Sequence, residues 1–321
     1  MTLFGNIDAG VLRSRLRQLP SAIRQKPCEL GDIECRREFS DALNAGLTAR
    51  FGKASDVTLK DHFIARPDGS ELRVRVYRKI GSTARGALLY VHGGGMIVSC
   101  IEDYDARCMH YCTNTGLPVV SVDYPLAPES PYPAQIDDAL TALSWMQASS
   151  SEFGWDRARI GICGDSAGGG LTAGAVLKNR DTAGPALACQ MLVYPMLDDR
   201  NTIPDPRFPK PFQIWTYIDN ETAWDAYLSG LDDRHDVPIY AAPARATDLS
   251  GLPPTYIDTG TLDIFYDEDL AYAKQMMADG VTVEGHLWNG APHGFDYFAF
   301  SSAIAAKAWD CRFAFLVEHL H

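Results

Sequence analysis

Short, solidly apolar runs alternate with helix-patterned segments along most of the chain, and this alternation is the strongest constraint on its fold. An apolar run without polar alternation is typical of a strand buried on both faces, as in a parallel sheet. Six such runs occur, namely GALLYVH, LPVVSVDY, RIGICGDS, CQMLVYPM, PTYIDTG and VEGHLWNG. The helical segments are YDARCMHYCTN, PAQIDDALTALSWMQASS, GGGLTAGAVLKNR, FYDEDLAYAKQMMADG and SSAIAAKAWDCRFAFLVEHL. The pattern predicts a doubly wound α/β domain with a mostly parallel central sheet and helices on both faces.

Two segments with other patterns precede this alternation. Residues 57–80 alternate polar and apolar side chains around the turn sequence PDG, which predicts two strands in a hairpin-like start. Residues 1–50 have apolar side chains at helical spacing, so we expect helices there. One face of the first helix would carry Leu12, Leu16, Leu19 and Ile23.

A stretch from about residue 197 to 252 interrupts the alternation, because it is far longer than an ordinary connection between a strand and the next helix. Within it, NETAWDAYLSGL has helical spacing, and Asn220 is a candidate N-cap. We predict an inserted helical excursion over one end of the sheet. Its aromatic residues are Phe208, Phe212, Trp215, Tyr217, Trp224 and Tyr227. For any one of them, packing onto the body is at least as expected as contact with a substrate.

The net charge and the N-terminal residues bear on which partners and which cellular location we expect for the protein. The formal net charge is −12, and no cluster of Lys and Arg suits a phosphate backbone, so we expect no nucleic-acid partner. The first 20 residues lack the basic and apolar regions of a signal peptide. No apolar run approaches the roughly 18 residues of a membrane span. We therefore expect a cytoplasmic protein with no membrane partner.

Eight cysteines are present, and in a long chain without a secretory signal we expect reduced thiols. Cys108 and Cys112 would share one face of a helix, but no CxxC or His-rich set accompanies them. We interpret them as small buried residues and expect no metal site.

The segment RIGICGDSAGGGL, residues 159–171, places Ser166 between Gly164 and Gly168. A phosphate-binding P-loop would need Lys and then Ser or Thr after its glycines, and the dinucleotide fingerprint needs another glycine spacing. The pattern Gly-x-Ser-x-Gly between a strand and a helix instead fits a nucleophile elbow, where a serine hydroxyl stands on a strained turn.

A serine nucleophile needs a base and an orienting acid, in the chain order Ser, acid, His. Among the later histidines, His293 follows a predicted strand on a loop, where an open α/β sheet places its ligands. His235 lies in a polar segment, His286 inside a strand, and the other two at the chain end. The acid should follow the preceding strand, and Asp263 lies there on a loop, whereas Asp258 is within the strand. Asp267 and Glu268 are typical of the first turn of a helix.

The segment YVHGGGM supplies the third requirement, an oxyanion site. Gly93, Gly94 and Gly95 follow a buried strand, and without side chains their amides can face a developing oxyanion. The amide of Ala167, directly after the serine, is the remaining candidate donor. We expect His92 to stabilise this loop by hydrogen bonds.

These residues and their order are similar to the hormone-sensitive-lipase-like branch of the α/β-hydrolases, also called bacterial family IV esterases. The shared segments are HGGG, VDYPLAPESPYPAQIDDAL, GDSAGGG, DTGTLDIFYDED and APHGF. Departures from the family pattern are Pro125 in place of arginine, Ser130 in place of histidine, and Met96 where an aromatic residue is common.

The resemblance implies an α/β-hydrolase fold with a helical cap and a Ser166, Asp263, His293 triad. It divides the chain into an N-terminal part of the cap (1–50), two parts of the core (51–196 and 253–321) and a cap insertion (197–252). Our candidates for substrate binding are Met96, Asp165, Phe212 and Trp215.

The expected activity is that of a serine carboxylesterase acting on short- to medium-chain acyl esters, with a small-molecule ester as partner and no cofactor or metal. An amidase, an arylformamidase or a thioesterase would use the same triad. A ligand-binding receptor on this fold is the alternative outside enzymes. The sequence does not determine the oligomeric state, and a homodimer is one of the options.

Overall fold

A computed structural model describes residues 8–11, 28–51, 54–208 and 214–321. The apolar face expected at Leu12, Leu16, Leu19 and Ile23, and the substrate-binding candidate Phe212, lie outside these residues. Of the helices described, none is both long and apolar enough to cross a membrane.

One eight-stranded sheet forms the centre of the molecule, in the order β1-β2-β4-β3-β5-β6-β7-β8. β2 pairs antiparallel with β1 and β4, and all other neighbours are parallel. The strands are β1 (Val57–Ala65), β2 (Glu71–Lys79), β3 (Ala87–Val91), β4 (Val119–Val122), β5 (Ile160–Asp165), β6 (Cys189–Val193), β7 (Thr255–Gly260) and β8 (Val283–Trp288). The predicted, mostly parallel sheet with an antiparallel start is confirmed.

Helices cover both faces of the sheet. The helices within the described residues are α1 (Ile33–Phe51), α2 (Ile101–Thr115), α3 (Ala134–Ala148), α4 (Ser150–Phe153), α5 (Ala167–Asp181), α6 (Tyr217–Tyr227), α7 (Tyr266–Ala278), α8 (Phe295–Phe298) and α9 (Ala303–Leu320). Successive residues of β3 divide between two apolar cores, since Leu89 packs with α3, α5 and α7 while Leu88 and Tyr90 pack with α2 and α9. Burial of both faces explains why β3 to β7 lack the polar–apolar alternation of a half-exposed strand.

Among its described residues, the segment between β6 and β7 contains one α-helix, α6, and a 3₁₀ turn at Pro243–Arg245. The N-cap prediction here was wrong: α6 is capped by Thr216, which exchanges hydrogen bonds with Asp219. Because this reciprocal capping box satisfies the first amides of the helix, α6 starts before Asn220. Asn220 is fully buried inside the helix and donates to the carbonyl of Asn201 at 2.8 Å.

The expectation of reduced thiols is wrong for one pair. Cys28 and Cys35 form a disulfide, because the turn at Leu30 and Gly31, just before α1, brings their Cα atoms to 5.8 Å. The spacing along the chain gave no signal of this turn. Six other cysteines are free, and Cys108, Cys112, Cys163 and Cys189 among them are buried.

The disulfide-linked segment and the residues of α1 that directly follow it contact α6 and the loop after β3. Arg36 binds Asp219 at 2.8 Å, and the amide of Gly31 donates to Thr222. Arg37 donates to the carbonyl of Ile97 at 2.9 Å. Residues from both ends of the predicted cap therefore meet beside the HGGG loop.

Candidate active site

Ser166 lies on a sharp turn between β5 and α5. Its backbone has φ +56° and ψ −124°, a conformation that side chains other than glycine rarely adopt. The Ser166 amide donates to the carbonyl of Val193 at 2.9 Å, and its carbonyl accepts from the amide of Met196 at 2.9 Å. Such strain persists only where surrounding contacts hold it, and it is characteristic of functional turns.

The glycines around Ser166 allow three backbones to approach one another. A Cβ atom on Gly164 would lie 2.2 Å from the carbonyl oxygen of Gly168. One on Gly168 would lie 2.1 Å from the carbonyl oxygen of Val91 and 2.5 Å from that of His92. Strand β5, helix α5 and the HGGG loop are thus in contact at positions where only glycine fits.

We expect Gly168→Ala to lower the free energy of unfolding by about 3 kcal/mol or more, because the added methyl group overlaps rigid backbone. Urea unfolding measures this loss. Gly285→Ala is the matched control: Gly285 lies in β8 with no atom near its added Cβ, so the substitution should be neutral or mildly stabilising. Equal stability of the two variants would contradict the close packing at Gly168.

Three predicted residues meet at the carboxyl edge of the sheet. His293 Nε2 lies 3.0 Å from Ser166 Oγ, and His293 Nδ1 lies 2.8 Å from Asp263 Oδ2. The other oxygen of Asp263 accepts from the amide of Phe265 at 3.0 Å. The residues are nearly buried, with exposures of 7% for Ser166, 8% for His293 and 1% for Asp263. Two aromatic rings, those of Tyr194 and Phe265, pack edge-on against the imidazole at 4.7 and 5.1 Å.

This arrangement has a defined chemical capacity. A carboxylate only accepts hydrogen bonds, so Asp263 selects the imidazole tautomer with its proton on Nδ1. The lone pair of Nε2 then faces the hydroxyl of Ser166 and can take its proton. The line of Asp263, His293 and Ser166 is therefore competent for nucleophilic attack by the serine.

The HGGG loop packs against the turn at Ser166. Gly94 and Gly95 have φ values of +109° and +59°, which favour glycine. A Cβ on Gly93 would lie 2.8 Å from both the Asp165 carbonyl oxygen and the Tyr104 hydroxyl. The HGGG loop, with Gly93, Gly94 and Gly95, thus lies beside the turn that leads to Ala167, and the binding of an oxyanion by these four amides stays a prediction.

His92 is buried behind this loop. Its Nδ1 lies 2.8 Å from the carbonyl oxygen of Gly93, and its ring stacks on Tyr124 at 4.1 Å. Burial lowers the pKa of His92 below its usual value, so a neutral ring is favoured at neutral pH. These contacts agree with the expected role in holding the loop.

The substrate-binding candidates have different surroundings. Met96 is buried in the core, and its carbonyl accepts from the amide of Ala127 at 2.8 Å. The carboxylate of Asp165 binds the buried side chains of Arg107 and Tyr90. The ring of Trp215 lies against the HGGG loop, 2.3 Å from where a Cβ on Gly95 would be. Substrate contact by these residues stays a prediction.

Sequence reasoning missed two residues beside the site, Arg107 and Tyr194. Arg107 lies 2.7 Å from Asp165, and the ring of Tyr194 packs on His293. Arg107 stands in a helical segment rich in polar residues, where an arginine usually faces solvent. Its partners lie on other elements, so the local pattern contained no signal. Across the described ranges, no group of three or more His, Cys, Asp or Glu side chains is arranged to hold a metal ion.

Comparison with known proteins gives concordant matches. A family model described as alpha/beta hydrolase fold matches residues 88–297. Carboxylesterase NlhH of Mycobacterium tuberculosis is 38% identical over 243 residues, covering 73% of this chain and 74% of that protein. Ethyl acetate hydrolase of Pseudomonas putida is 32% identical over 270 residues, covering 82% of each chain.

Solved structures show the same similarity. A bacterial heroin esterase superposes with a TM-score of 0.87 at 32% identity and covers 100% of each chain. A hyperthermophilic esterase from the archaeon Pyrobaculum calidifontis superposes with a TM-score of 0.86 at 29% identity, covering 98% of each chain.

Proposed function

The chain belongs to the hormone-sensitive-lipase-like branch of the α/β-hydrolases, and from this membership we propose that it is a serine carboxylesterase that forms an acyl-enzyme on Ser166. Carboxylic ester hydrolysis is the activity in the names of the relatives described above. One observation carries the catalytic proposal: Ser166 Oγ, His293 and Asp263 are linked by contacts of 3.0 and 2.8 Å.

In the first half of the proposed reaction, Ser166 Oγ attacks the ester carbonyl carbon while His293 Nε2 takes the hydroxyl proton. Asp263 keeps the imidazole in the correct tautomer and stabilises the imidazolium. The carbonyl oxygen becomes an oxyanion, which the amides of the HGGG loop and of Ala167 would bind. His293 then protonates the leaving alcohol, and the acyl group remains on Ser166.

In the second half, a water molecule takes the place of the alcohol. His293 removes its proton, the resulting hydroxide attacks the acyl carbon, and a second oxyanion forms in the same site. Collapse of this intermediate releases the carboxylic acid, and the proton returns from His293 to Ser166. Every proton in the cycle moves through one imidazole, so the sequence is balanced without a metal or cofactor.

The proposed substrates are esters of short- to medium-chain acyl groups. Trp215 lies directly against Gly95, so a large aromatic ring borders the proposed oxyanion site on the cap side. A ring in that position limits the room for a long acyl chain.

We also propose that residues 1–50 and 197–252 form one cap over the site. The Arg36–Asp219 ion pair and the hydrogen bond from Gly31 to Thr222 support this proposal for the described residues. The cytoplasmic location stays a prediction, and fractionation of cells that produce the full chain tests it.

The test of the activity is kcat/KM for p-nitrophenyl esters from acetate to palmitate, measured beside an aryl formamide, an amide and a thioester. We expect a maximum at decanoate or shorter, and loss of all activity as one fluorophosphonate molecule attaches to Ser166. A maximum at laurate or longer contradicts the acyl-length proposal. Faster turnover of the formamide, amide or thioester would instead identify an arylformamidase, an amidase or a thioesterase. Absence of both turnover and labelling would favour a receptor.

A further inference from the structure

A group of buried charges lies behind Ser166 and His293. Two arginines and three aspartates compose it, each with an exposure of at most 4%, and they come from five different elements. They are Arg107 on α2, Arg312 on α9, Asp165 at the end of β5, Asp258 in β7 and Asp296 on α8. Charged side chains are almost never this buried unless they are paired, so the group is a built feature of the interior.

Arg107 connects the parts of this group that lie nearest to the reacting atoms. Its Nη1 is 2.7 Å from Asp165 Oδ2 and donates to the Tyr194 hydroxyl at 3.2 Å. Its guanidinium also lies over the ring of Tyr297, with Cζ at 4.8 Å from the centroid. One side chain of α2 thus contacts β5, the turn after β6, and α8.

The contact with Asp165 reaches both the nucleophile and the oxyanion loop. Asp165 is the residue before Ser166, and its other carboxylate oxygen accepts from the Tyr90 hydroxyl at 2.5 Å. A Cβ on Gly93 would lie 2.8 Å from the Asp165 carbonyl oxygen and 3.1 Å from Oδ2. The orientation of this carboxylate therefore constrains the strained turn at Ser166 and the approach of the HGGG loop to it.

The contact with Tyr194 reaches the base. The Tyr194 ring packs on the His293 imidazole, and its hydroxyl donates to Asp296 Oδ1 at 2.7 Å. Asp296 is three residues after His293 and binds Arg312 at 2.6 Å. Tyr194 also has a positive φ of +35°, so the surrounding contacts must hold its backbone in place.

The charges of this group persist in the interior. Burial lowers the pKa of Arg107, but the neighbouring Asp165 and Tyr194 outweigh this effect, and the pKa lies well above its usual value. Burial raises the pKa of Asp296, yet Arg312 and Arg107 hold it below its usual value. A buried ion pair is weak evidence for a gain in stability, because desolvation offsets attraction. The fixed geometry of the pair says more about its role than any gain in stability does.

We propose that Arg107 is a positioning residue for ester hydrolysis. Through Asp165 and Tyr194 it fixes the position of the Ser166 turn relative to the His293 imidazole. Arg107 itself touches neither reacting group. The inference rests on the proposed catalytic roles of Ser166 and His293. A small shift between the two would lengthen the 3.0 Å contact through which the proton moves.

The test compares Arg107→Met with Arg66→Met. Arg66 also pairs with a buried aspartate, Asp138, through contacts of 2.7 and 2.8 Å. Arg66 directly follows the edge strand β1, and strands β2, β4 and β3 lie between β1 and β5, the strand that leads to Ser166. Misplaced catalytic groups typically lower rates by up to about 100-fold. We expect Arg107→Met to lower kcat by about 10- to 100-fold with KM within about twofold. The rate at which a fluorophosphonate labels Ser166 should fall in parallel. Arg66→Met should lose stability and keep kcat.

Two further variants decide the matter if Arg107→Met does not fold. Arg107→Met combined with Asp165→Asn removes both charges, and Tyr194→Phe removes only the hydroxyl while the ring stays on His293. We expect each folded variant to lose kcat and labelling rate together. Wild-type kcat and labelling in a folded variant of Arg107 or Tyr194, or an equal loss of kcat in Arg66→Met, overturns the inference. If wild-type protein is not labelled at Ser166, the proposed function fails instead.

Discussion

Ser166→Ala is expected to lower kcat for p-nitrophenyl butyrate by about a millionfold, since removal of the proposed nucleophile eliminates the proposed acyl-enzyme route. The fold should be unchanged. Alanine retains the Cβ atom, so the backbone strain at φ +56° is the same in both proteins. The measurements are steady-state hydrolysis, fluorophosphonate labelling followed by intact mass, and thermal unfolding.

Ser144→Ala is the matched control for this variant. Ser144 is exposed on α3, and its hydroxyl only donates to the carbonyl of Leu140 within the same helix. Full activity and one phosphonate adduct are expected for it, against neither for Ser166→Ala. Wild-type turnover by a folded Ser166→Ala protein would exclude the acyl-enzyme on this residue.

The central sheet could be predicted because burial of a strand on both faces determines the residue pattern within the strand itself. Every residue of β3, β4, β5, β6 and β7 is buried, so these strands lack the regular alternation of polar and apolar residues that marks a half-exposed strand. The position of Ser166 followed from glycines that only a close approach of backbones requires. Both features could be predicted because the residues that cause them lie together in one short segment of the sequence.

The features that escaped prediction depend on partners distant in the chain or on competing local signals. Arg107 is 58 residues from Asp165 and 87 residues from Tyr194, and nothing in its helix indicates either. Asn220 is a good N-cap residue by type, but the capping box of Thr216 and Asp219 lies just before it. The Cys28–Cys35 disulfide required the turn just before α1 to be known.

Asp263→Asn is the second change expected to have a very large effect, about 10,000-fold in kcat. The Asp263 oxygen that accepts from the Phe265 amide favours an orientation in which the new amide nitrogen faces His293 Nδ1. That nitrogen is a donor, so the imidazole must carry its proton on Nε2. Nε2 then donates toward Ser166 and can no longer take the hydroxyl proton. KM should change little, and steady-state kinetics measure both constants.

Asp267→Asn controls for the removal of one negative charge near the site. Asp267 lies in the first turn of α7, is 61% exposed and pairs with Arg207, so we expect kcat within about twofold of wild type. Retention of more than about a tenth of wild-type kcat in Asp263→Asn would mean that Asp263 does not fix the tautomer of His293. If both variants lost activity equally, the total charge at this edge of the sheet would matter more than the 2.8 Å contact. The contrast between the two aspartates thus separates a hydrogen bond with a defined direction from a general electrostatic field.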